Sequence, residues 1–185
     1  MNLTFKKATM HDRAAIERLW LKVLTEAFRR TNHASDFTPE DELAYKMRQF
    51  DQTVNLATAH YFMVYDEAQF MATIAYQTPP NEGILRRTGD AFKNDYEIGS
   101  LYIDPKRQKE GLSTPIIIFI LEEVLRQGIQ VVCFDSILAH AQKLWVKRFG
   151  PPRHTFPSDD QSFVVYLWRI EVSEALRRLK HTTNQ

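Results

Sequence analysis

The sequence predicts an α/β fold (α+β in some schemes), in which a mixed β-sheet carries helices on its faces within a single domain, residues 1–185. Three observations predict it. Segments with strand and helix patterns follow one another in the order β-α-α-β-β-β-α-β-α-β. Two aromatic-rich segments, Tyr61–Tyr65 and Phe70–Tyr76, are joined by a short turn and predict an antiparallel hairpin. A strand, a helix and another strand between Tyr96 and Phe134 imply a right-handed crossover and a parallel pair.

The chain before the hairpin is predicted to form one short strand and two helices. Leu3 and Phe5 alternate with polar residues, as in a half-buried strand. Apolar residues between positions 16 and 28 recur at helical spacing and give one wide apolar face. Thr38 is suited to the N-cap of the second helix, and Pro39 to its first position.

After the hairpin, residues 78–94 carry two prolines, two glycines and the pair Arg86-Arg87, which predicts a long loop. The elements predicted beyond it are a strand at Tyr96–Ile103, a nearly all-apolar helix at Ile116–Gln127, a buried strand at Ile129–Phe134, an amphipathic helix around Leu138–Trp145, a strand at Phe163–Trp168 and a short C-terminal helix at about 171–180.

Composition limits the classes of function. The net charge of +1 argues against a dedicated nucleic-acid binder, which usually carries a strong basic excess. The single cysteine excludes an internal disulfide and makes the cytoplasm the simplest compartment. The N-terminal residues lack the apolar region of a secretory signal, and the longest apolar run, Ile116–Leu121, is too short to span a bilayer. We therefore expect no nucleic-acid or membrane partner.

A loop with a single glycine, Gln108–Ser113, leads into the apolar helix. Thr114 is suited to its N-cap and Pro115 to its first position. Free N–H groups at a helix start favour an anion, and Gly111 allows close approach or a positive φ. The pattern predicts a phosphate site, although it lacks the glycines of a Walker A loop or of the dinucleotide fingerprint. The alternative is an ordinary surface loop with a charged patch.

The stretch YEIGSLYIDPKRQKEGLS resembles the central motif of the GNAT superfamily of acyl-CoA-dependent N-acyltransferases. In that family an Asp-Pro turn leads into a loop of form Arg/Gln-x-x-Gly-x-Gly/Ala. Here Asp104-Pro105 is the turn, and the loop runs from Gln108 to Ser113, with serine at the last position. The order of elements also agrees. The resemblance implies a GNAT-like, mostly antiparallel sheet of about seven strands with a central parallel pair, helices on both faces, and a CoA-binding motif at about 96–127.

The resemblance also implies the residues that hold coenzyme A. Backbone amides of the loop would bind its pyrophosphate, and the backbone of the preceding strand would pair with its pantetheine arm. Acetyl-CoA is then the co-substrate, and no metal is expected. The implied cofactor-binding residues are Leu101, Tyr102, Ile103, Gln108, Lys109, Glu110, Gly111, Leu112 and Ser113.

A catalytic base is implied at Glu97, because many family members carry a glutamate near the start of this strand. The alternative is a solvated carboxylate at a strand edge. The family's usual acid, a tyrosine, is replaced by Trp145, so the thiolate leaves unassisted or uses another group. Tyr102, Ser136 and His140 are the other candidates.

Further polar residues have weaker patterns. The six histidines show no metal-ligand spacing. Cys133 lies within an apolar run and is predicted to be a buried hydrophobe. Asp135 ends the buried strand, where it is predicted to be a turn or cap residue; contact with a cationic acceptor or a role as an alternative base are the alternatives. Arg86 and Arg87 are predicted to be solvated, with contact to the acceptor or to CoA as the alternative.

The sequence therefore predicts an N-acetyltransferase that moves an acetyl group from acetyl-CoA to a primary amine, on a small molecule or a protein, by direct attack. Two alternatives stay open: a non-catalytic acyl-CoA-binding or interaction domain of the same fold, and, less favoured by the near-zero net charge, an RNA-contacting module. Dimerisation is common in the family, but the sequence carries no mark of it.

Overall fold

The computed structural model of the protein describes residues 2–31, 38–157 and 163–183. Its described part contains a seven-stranded mixed sheet of order β1-β2-β3-β4-β5-β7-β6. Strands β4 and β5 pair in parallel, and the pairs β1–β2, β5–β7 and β6–β7 are antiparallel. The predicted mixed sheet and its parallel pair are confirmed. The strands are β1 Leu3–Lys7, β2 Ala59–Asp66, β3 Gln69–Gln77, β4 Tyr96–Ile103, β5 Val131–Ser136, β6 His154–Pro157 and β7 Val164–Glu171.

Six α-helices lie within the described residues: α1 Arg13–Thr31, α2 Pro39–Thr53, α3 Glu82–Thr88, α4 Ser113–Arg126, α5 Ala139–Phe149 and α6 Val172–Thr183. None of these helices has both the length and the apolar character to cross a membrane. The chain forms two compact units. The first consists of residues 1–75 and 100–116, and the second of residues 76–99 and 117–185.

The core of the first unit is built around Trp20 of α1. Its ring lies 6.2 Å from that of Phe50 of α2 and 6.4 Å from that of Tyr61 of β2. The predicted cap of α2 is confirmed: the Thr38 hydroxyl accepts from the Asp41 amide, and the Asp41 carboxylate accepts from the Thr38 amide. This reciprocal pair satisfies two N–H groups that the first turn leaves free, so α2 begins at Pro39.

The core of the second unit contains an aromatic stack. The rings of Phe134 and Trp168 lie 5.1 Å apart and nearly parallel, and Trp145 lies 5.3 Å from Phe134. Trp145 is therefore part of this aromatic stack. Cys133, the residue before Phe134, is fully buried, as predicted.

The prediction of a long loop at residues 78–94 is wrong. This segment contains α3 and a short 3-10 helix, Gly89–Phe92. The Asn81 side chain caps α3 by accepting from the Ile84 amide at 3.0 Å, and the side chains of Ile84 and Phe92 are buried. Burial and the cap outweigh the helix-breaking prolines and glycines, because those lie before and after the helix or in its first turn.

Two smaller corrections concern boundaries. Helix α4 begins at Ser113, since the Ile116 amide donates to the Leu112 carbonyl at 3.3 Å. Thr114 and Pro115 therefore lie inside its first turn, and Thr114 is not the N-cap. Strand β6 was not among the predicted elements, because four residues give no readable alternation and its structure depends on pairing with β7.

Candidate acyl-donor and catalytic sites

The first unit contains a strand, a turn, a loop and a helix start that follow one another closely. Strand β4 ends at Ile103, and the Asp104 amide donates to the Met71 carbonyl at 2.8 Å. The Asp104 carboxylate accepts from the Lys106 amide at 3.0 Å and so caps a 3-10 helix of one turn, Pro105–Arg107. The loop that follows this turn leads directly into α4.

Two residues of the loop have a left-handed backbone conformation. Lys109 has a φ of 71° and Gly111 a φ of 78°. This conformation costs a non-glycine residue roughly 1–2 kcal/mol, so at Lys109 it must be held by the surrounding loop. Among the described residues, the amides of Lys109, Gly111 and Leu112 donate no hydrogen bond. Together with the start of the 14-residue helix α4, these amides can receive an anion.

Arg107 and Gln108 hold the base of the loop. The Arg107 guanidinium donates to Asp66 and to Glu110, both at 2.8 Å. The Gln108 amide donates to the Ile103 carbonyl at 3.0 Å, and its oxygen accepts from Arg30 of α1 at 2.8 Å. The loop is thus fixed to the end of β2, to the end of β4 and to α1.

These ion pairs change the charge available near the loop. Hydrogen bonding to Arg107 lowers the pKa of the Asp66 carboxyl, and the same bond raises the pKa of Arg107. The charge of Arg107 is therefore used by two carboxylates, and its role is to brace the loop. Lys106 and Lys109 are exposed and supply positive charge nearby.

The strand segment that precedes the turn is irregular. Ser100 has a φ of 51°, an unusual conformation for a non-glycine residue inside a strand. Leu101, Tyr102 and Ile103 follow it and are half-buried, and the Tyr102 ring lies 5.2 Å from that of Trp20. The structure thus brings all the implied cofactor-binding residues, 101–103 and 108–113, into the first unit.

Glu97 lies in the second unit and is only 6% exposed. Its carboxylate accepts from the Asn81 amide and from the Asn81 side chain, both at 2.6 Å, and from the Gln77 side chain at 3.1 Å. The alternative of a solvated carboxylate at a strand edge is therefore wrong. A methyl group on Gly99 would lie 3.1 Å from a Glu97 oxygen, so a larger residue there would require the carboxylate to shift by a few tenths of an ångström.

The other candidate residues of the second unit lie at or near α5. His140 is exposed in the first turn of α5, and Ser136 ends β5. Gln142 donates to the Ser136 carbonyl at 2.8 Å and to the Val164 carbonyl at 2.7 Å, so it fixes α5 to β5 and β7. Trp145 is half-buried and has no acidic proton to give.

Sequence reasoning missed the residues that support these sites. Asn81 was detectable, because asparagine before an acidic helix start is a common N-cap. Trp20 and Thr73, which hydrogen-bond to each other across 53 residues of sequence, carry no local signal. Arg87 was predicted to be solvated in a loop, but it donates to the Gly83 carbonyl within α3 at 2.9 Å.

In the part of the chain that the structure describes, no three His, Cys, Asp or Glu side chains are grouped as a metal ion would require. Cys133 is also unsuited to nucleophilic chemistry, because burial and then the nearby carboxylate of Glu97 raise the pKa of its thiol.

Comparison with known proteins gives a consistent result. The family model described as "Acetyltransferase (GNAT) family" matches residues 12–150. A solved structure from Desulfovibrio desulfuricans, assigned to that family, has a TM-score of 0.67 at 17% identity over 92% of this chain and 99% of that chain. No curated protein matches significantly.

Two further solved structures share the fold. A spermidine N-acetyltransferase SpeG chimera from Vibrio cholerae and hSSAT has a TM-score of 0.64 at 12% identity, over 95% of this chain and 99% of that chain. The PaiA N-acetyltransferase from Thermoplasma acidophilum, in complex with coenzyme A, has a TM-score of 0.60 at 9% identity, over 92% and 100%. At these identities the likeness shows the fold alone.

Proposed function

The chain belongs to the GNAT family of acetyltransferases, and from this premise we propose that it transfers an acetyl group from acetyl-CoA to a primary amine by direct attack. The acceptor is unidentified. The single unpaired, buried cysteine supports a cytoplasmic location.

The observation that carries the proposal is the loop at the start of α4. Its amides at Lys109, Gly111 and Leu112 have no acceptor within the described ranges, and two of these residues are left-handed. Open amides in a left-handed loop at a helix start favour an anion, and a pyrophosphate offers several oxygens that could accept from them. The half-buried strand segment Leu101–Ile103 would pair with the pantetheine arm of the same ligand.

The reaction needs little from the protein beyond positioning and proton transfer. The neutral amine attacks the thioester carbonyl carbon, the C–N bond forms and the C–S bond breaks. The amine proton passes to a base, and coenzyme A leaves as the thiolate. A backbone N–H at the end of β4 would stabilise the oxyanion that develops on the carbonyl. A thiol pKa near 8.5 allows the thiolate to leave unassisted, with Tyr102 and His140 as weaker candidates for an acid.

We assign the base role to Glu97, with a structural role as the competing assignment. Three hydrogen bonds to its carboxylate support the structural role: the two from Asn81 attach the cap of α3 to β4, and the one from Gln77 attaches β3 to β4. Glu97→Gln preserves the size of the side chain. If Glu97 is the base, kcat falls at least a hundredfold at neutral pH while the Kd for acetyl-CoA is unchanged.

Asn81→Ala is the matched control, because it removes the side-chain donor and the cap of α3 while it leaves the carboxylate and the backbone N–H of residue 81 in place. If Glu97 only attaches α3, both variants lower the melting temperature, and they lower kcat by similar factors. Equal turnover of Glu97→Gln and the wild type would remove Glu97 from the mechanism.

Trp145 favours a second candidate function, a non-catalytic acyl-CoA-binding domain. Its indole occupies the position of the family's usual acid and packs against Phe134. Such a domain would bind acetyl-CoA and transfer nothing.

Two measurements test both candidates. Isothermal titration calorimetry with acetyl-CoA should give a Kd in the micromolar range, and no binding to acetyl-CoA or longer acyl-CoAs would refute both. Release of the CoA thiol, followed with a chromogenic disulfide over a panel of polyamines, amino acids and peptide amines, then separates them. Turnover with any amine supports the enzyme, and binding without turnover supports the non-catalytic domain.

A further inference from the structure

Ser100 interrupts β4 directly before the segment that would bind the pantetheine arm. Its φ of 51° turns the peptide planes away from regular strand geometry, so the orientation of the amides that follow depends on this one residue. Serine does not favour this conformation by itself. Something in the surrounding structure must therefore hold it.

A buried chain of two hydrogen bonds ends at Ser100. The Trp20 indole donates to the Thr73 hydroxyl at 2.8 Å, and that hydroxyl donates to the Ser100 carbonyl at 2.8 Å. The direction is fixed, because an indole N–H can only donate and a carbonyl can only accept. Trp20 and Thr73 are each 1% exposed, so water cannot easily replace either bond.

Trp20 contacts the same segment a second time. Its ring lies 5.2 Å from the ring of Tyr102, two residues after Ser100. The single side chain of Trp20 therefore acts on the carbonyl of Ser100 through Thr73 and on Tyr102 through ring packing. Since Trp20 belongs to α1 and Thr73 to β3, the chain of bonds connects three elements of the first unit.

We propose that Trp20 and Thr73 are positioning residues, which hold the kink at Ser100 and so preset the amides of Leu101–Ile103 for acetyl-CoA. This inference rests on the proposed function. Neither residue touches the reacting atoms. Their effect is on the affinity for the acyl donor, because a segment that is not preset must be ordered when the ligand binds.

Three substitutions test the role of Thr73. Thr73→Val removes the hydroxyl with little change in shape, and Thr73→Ser restores it. Thr53→Val is the control in the same unit, because the Thr53 hydroxyl also donates to a backbone carbonyl, that of Gln49 at 2.7 Å, and its other hydrogen-bond partner is the Tyr61 hydroxyl of β2 at 3.1 Å. Each variant is checked for folding by circular dichroism and thermal melting, and its Kd for acetyl-CoA is measured by calorimetry.

We expect Thr73→Val to raise the Kd about five- to tenfold, which is the effect of losing one buried hydrogen bond. The Kd of Thr73→Ser should stay within about twofold of the wild-type value. Thr53→Val should bind within about twofold even if it melts earlier. Trp20→Phe removes the indole donor at the other end of the chain of hydrogen bonds. In the double variant Trp20→Phe/Thr73→Val, the loss of binding free energy should therefore be smaller than the sum of the two single losses.

A wild-type Kd for Thr73→Val would overturn the inference, and so would an equal rise in Thr53→Val, since affinity would then follow general stability. A wild type that does not bind acetyl-CoA refutes the proposed function itself and the inference with it. The two failures are therefore distinguishable.

Discussion

Gly111 and Gly128 offer a comparison that isolates the function of the loop. Both are left-handed, with φ values of 78° and 79°, and a methyl group added at either would meet no atom within 4 Å. Alanine at either position therefore creates no clash, and its only cost is the backbone conformation, about 1–2 kcal/mol.

The two sites differ in what holds them. Gly128 lies in the turn that follows α4, where its amide donates to the Leu125 carbonyl at 3.0 Å and the next amide donates to the Val124 carbonyl at 3.0 Å. The strain of Gly128→Ala thus appears in stability, as a melting temperature lower by roughly 2–8 °C for a chain of this length. Gly111 is exposed, and its amide has no acceptor among the described residues, so Gly111→Ala relaxes in the free protein.

A relaxed loop must regain its shape when acetyl-CoA binds. The same 1–2 kcal/mol then appears as a Kd about 5- to 30-fold higher for Gly111→Ala, with little change in melting temperature. Calorimetry gives the Kd of each variant and thermal melting gives its stability. Together they check that the cost appears as lost affinity in Gly111→Ala and as lost stability in Gly128→Ala. Unchanged affinity in Gly111→Ala, or an equal loss in Gly128→Ala, would refute the assignment of this loop as the anion site.

Two further outcomes follow from the charges and the burial described above. Arg107→Gln should weaken acetyl-CoA binding severalfold, because the loop loses its ion pairs to Asp66 and Glu110. Since Arg107 lowers the pKa of Asp66, the stability from this pair is present above the ordinary carboxyl pKa of about 4 and is lost as the pH falls through the lower folded value. The difference in urea midpoint between wild type and Arg107→Gln should therefore shrink from pH 7 to pH 3, and an equal difference at both pH values would contradict the reasoning. Cys133 should react with a thiol reagent only after unfolding, because burial protects it and raises its pKa; rapid labelling of the native protein would show that this core is open.

Local chemistry accounts for the elements that the sequence predicted well. The cap of α2 at Thr38 and Pro39 and the hairpin of β2 and β3 depend on residues close together in the chain, and the structure confirms them. Helix α3 was missed because its support is partly distant: Asn81 caps it locally, but Glu97 holds Asn81 from 16 residues away.

The candidate sites show the same division. The loop from Gln108 to Ser113 could be predicted as an anion site from its pattern, since one glycine, a turn and a helix start lie together in the sequence. The ion pair that fixes this loop was not predicted, because Arg107 and Asp66 lie 41 residues apart in the sequence. The roles of Glu97, Tyr102 and His140 stay predictions, since proton transfer depends on where the acceptor amine lies.

The position of Trp20 gives the protein an optical reporter of its own. The chain has three tryptophans, and the other two, Trp145 and Trp168, lie in the aromatic stack of the second unit. With both of those replaced by phenylalanine, all tryptophan emission would come from an indole that is hydrogen-bonded toward Ser100 and packed on Tyr102. Fluorescence intensity and lifetime would then follow the state of β4 in solution, without any added label.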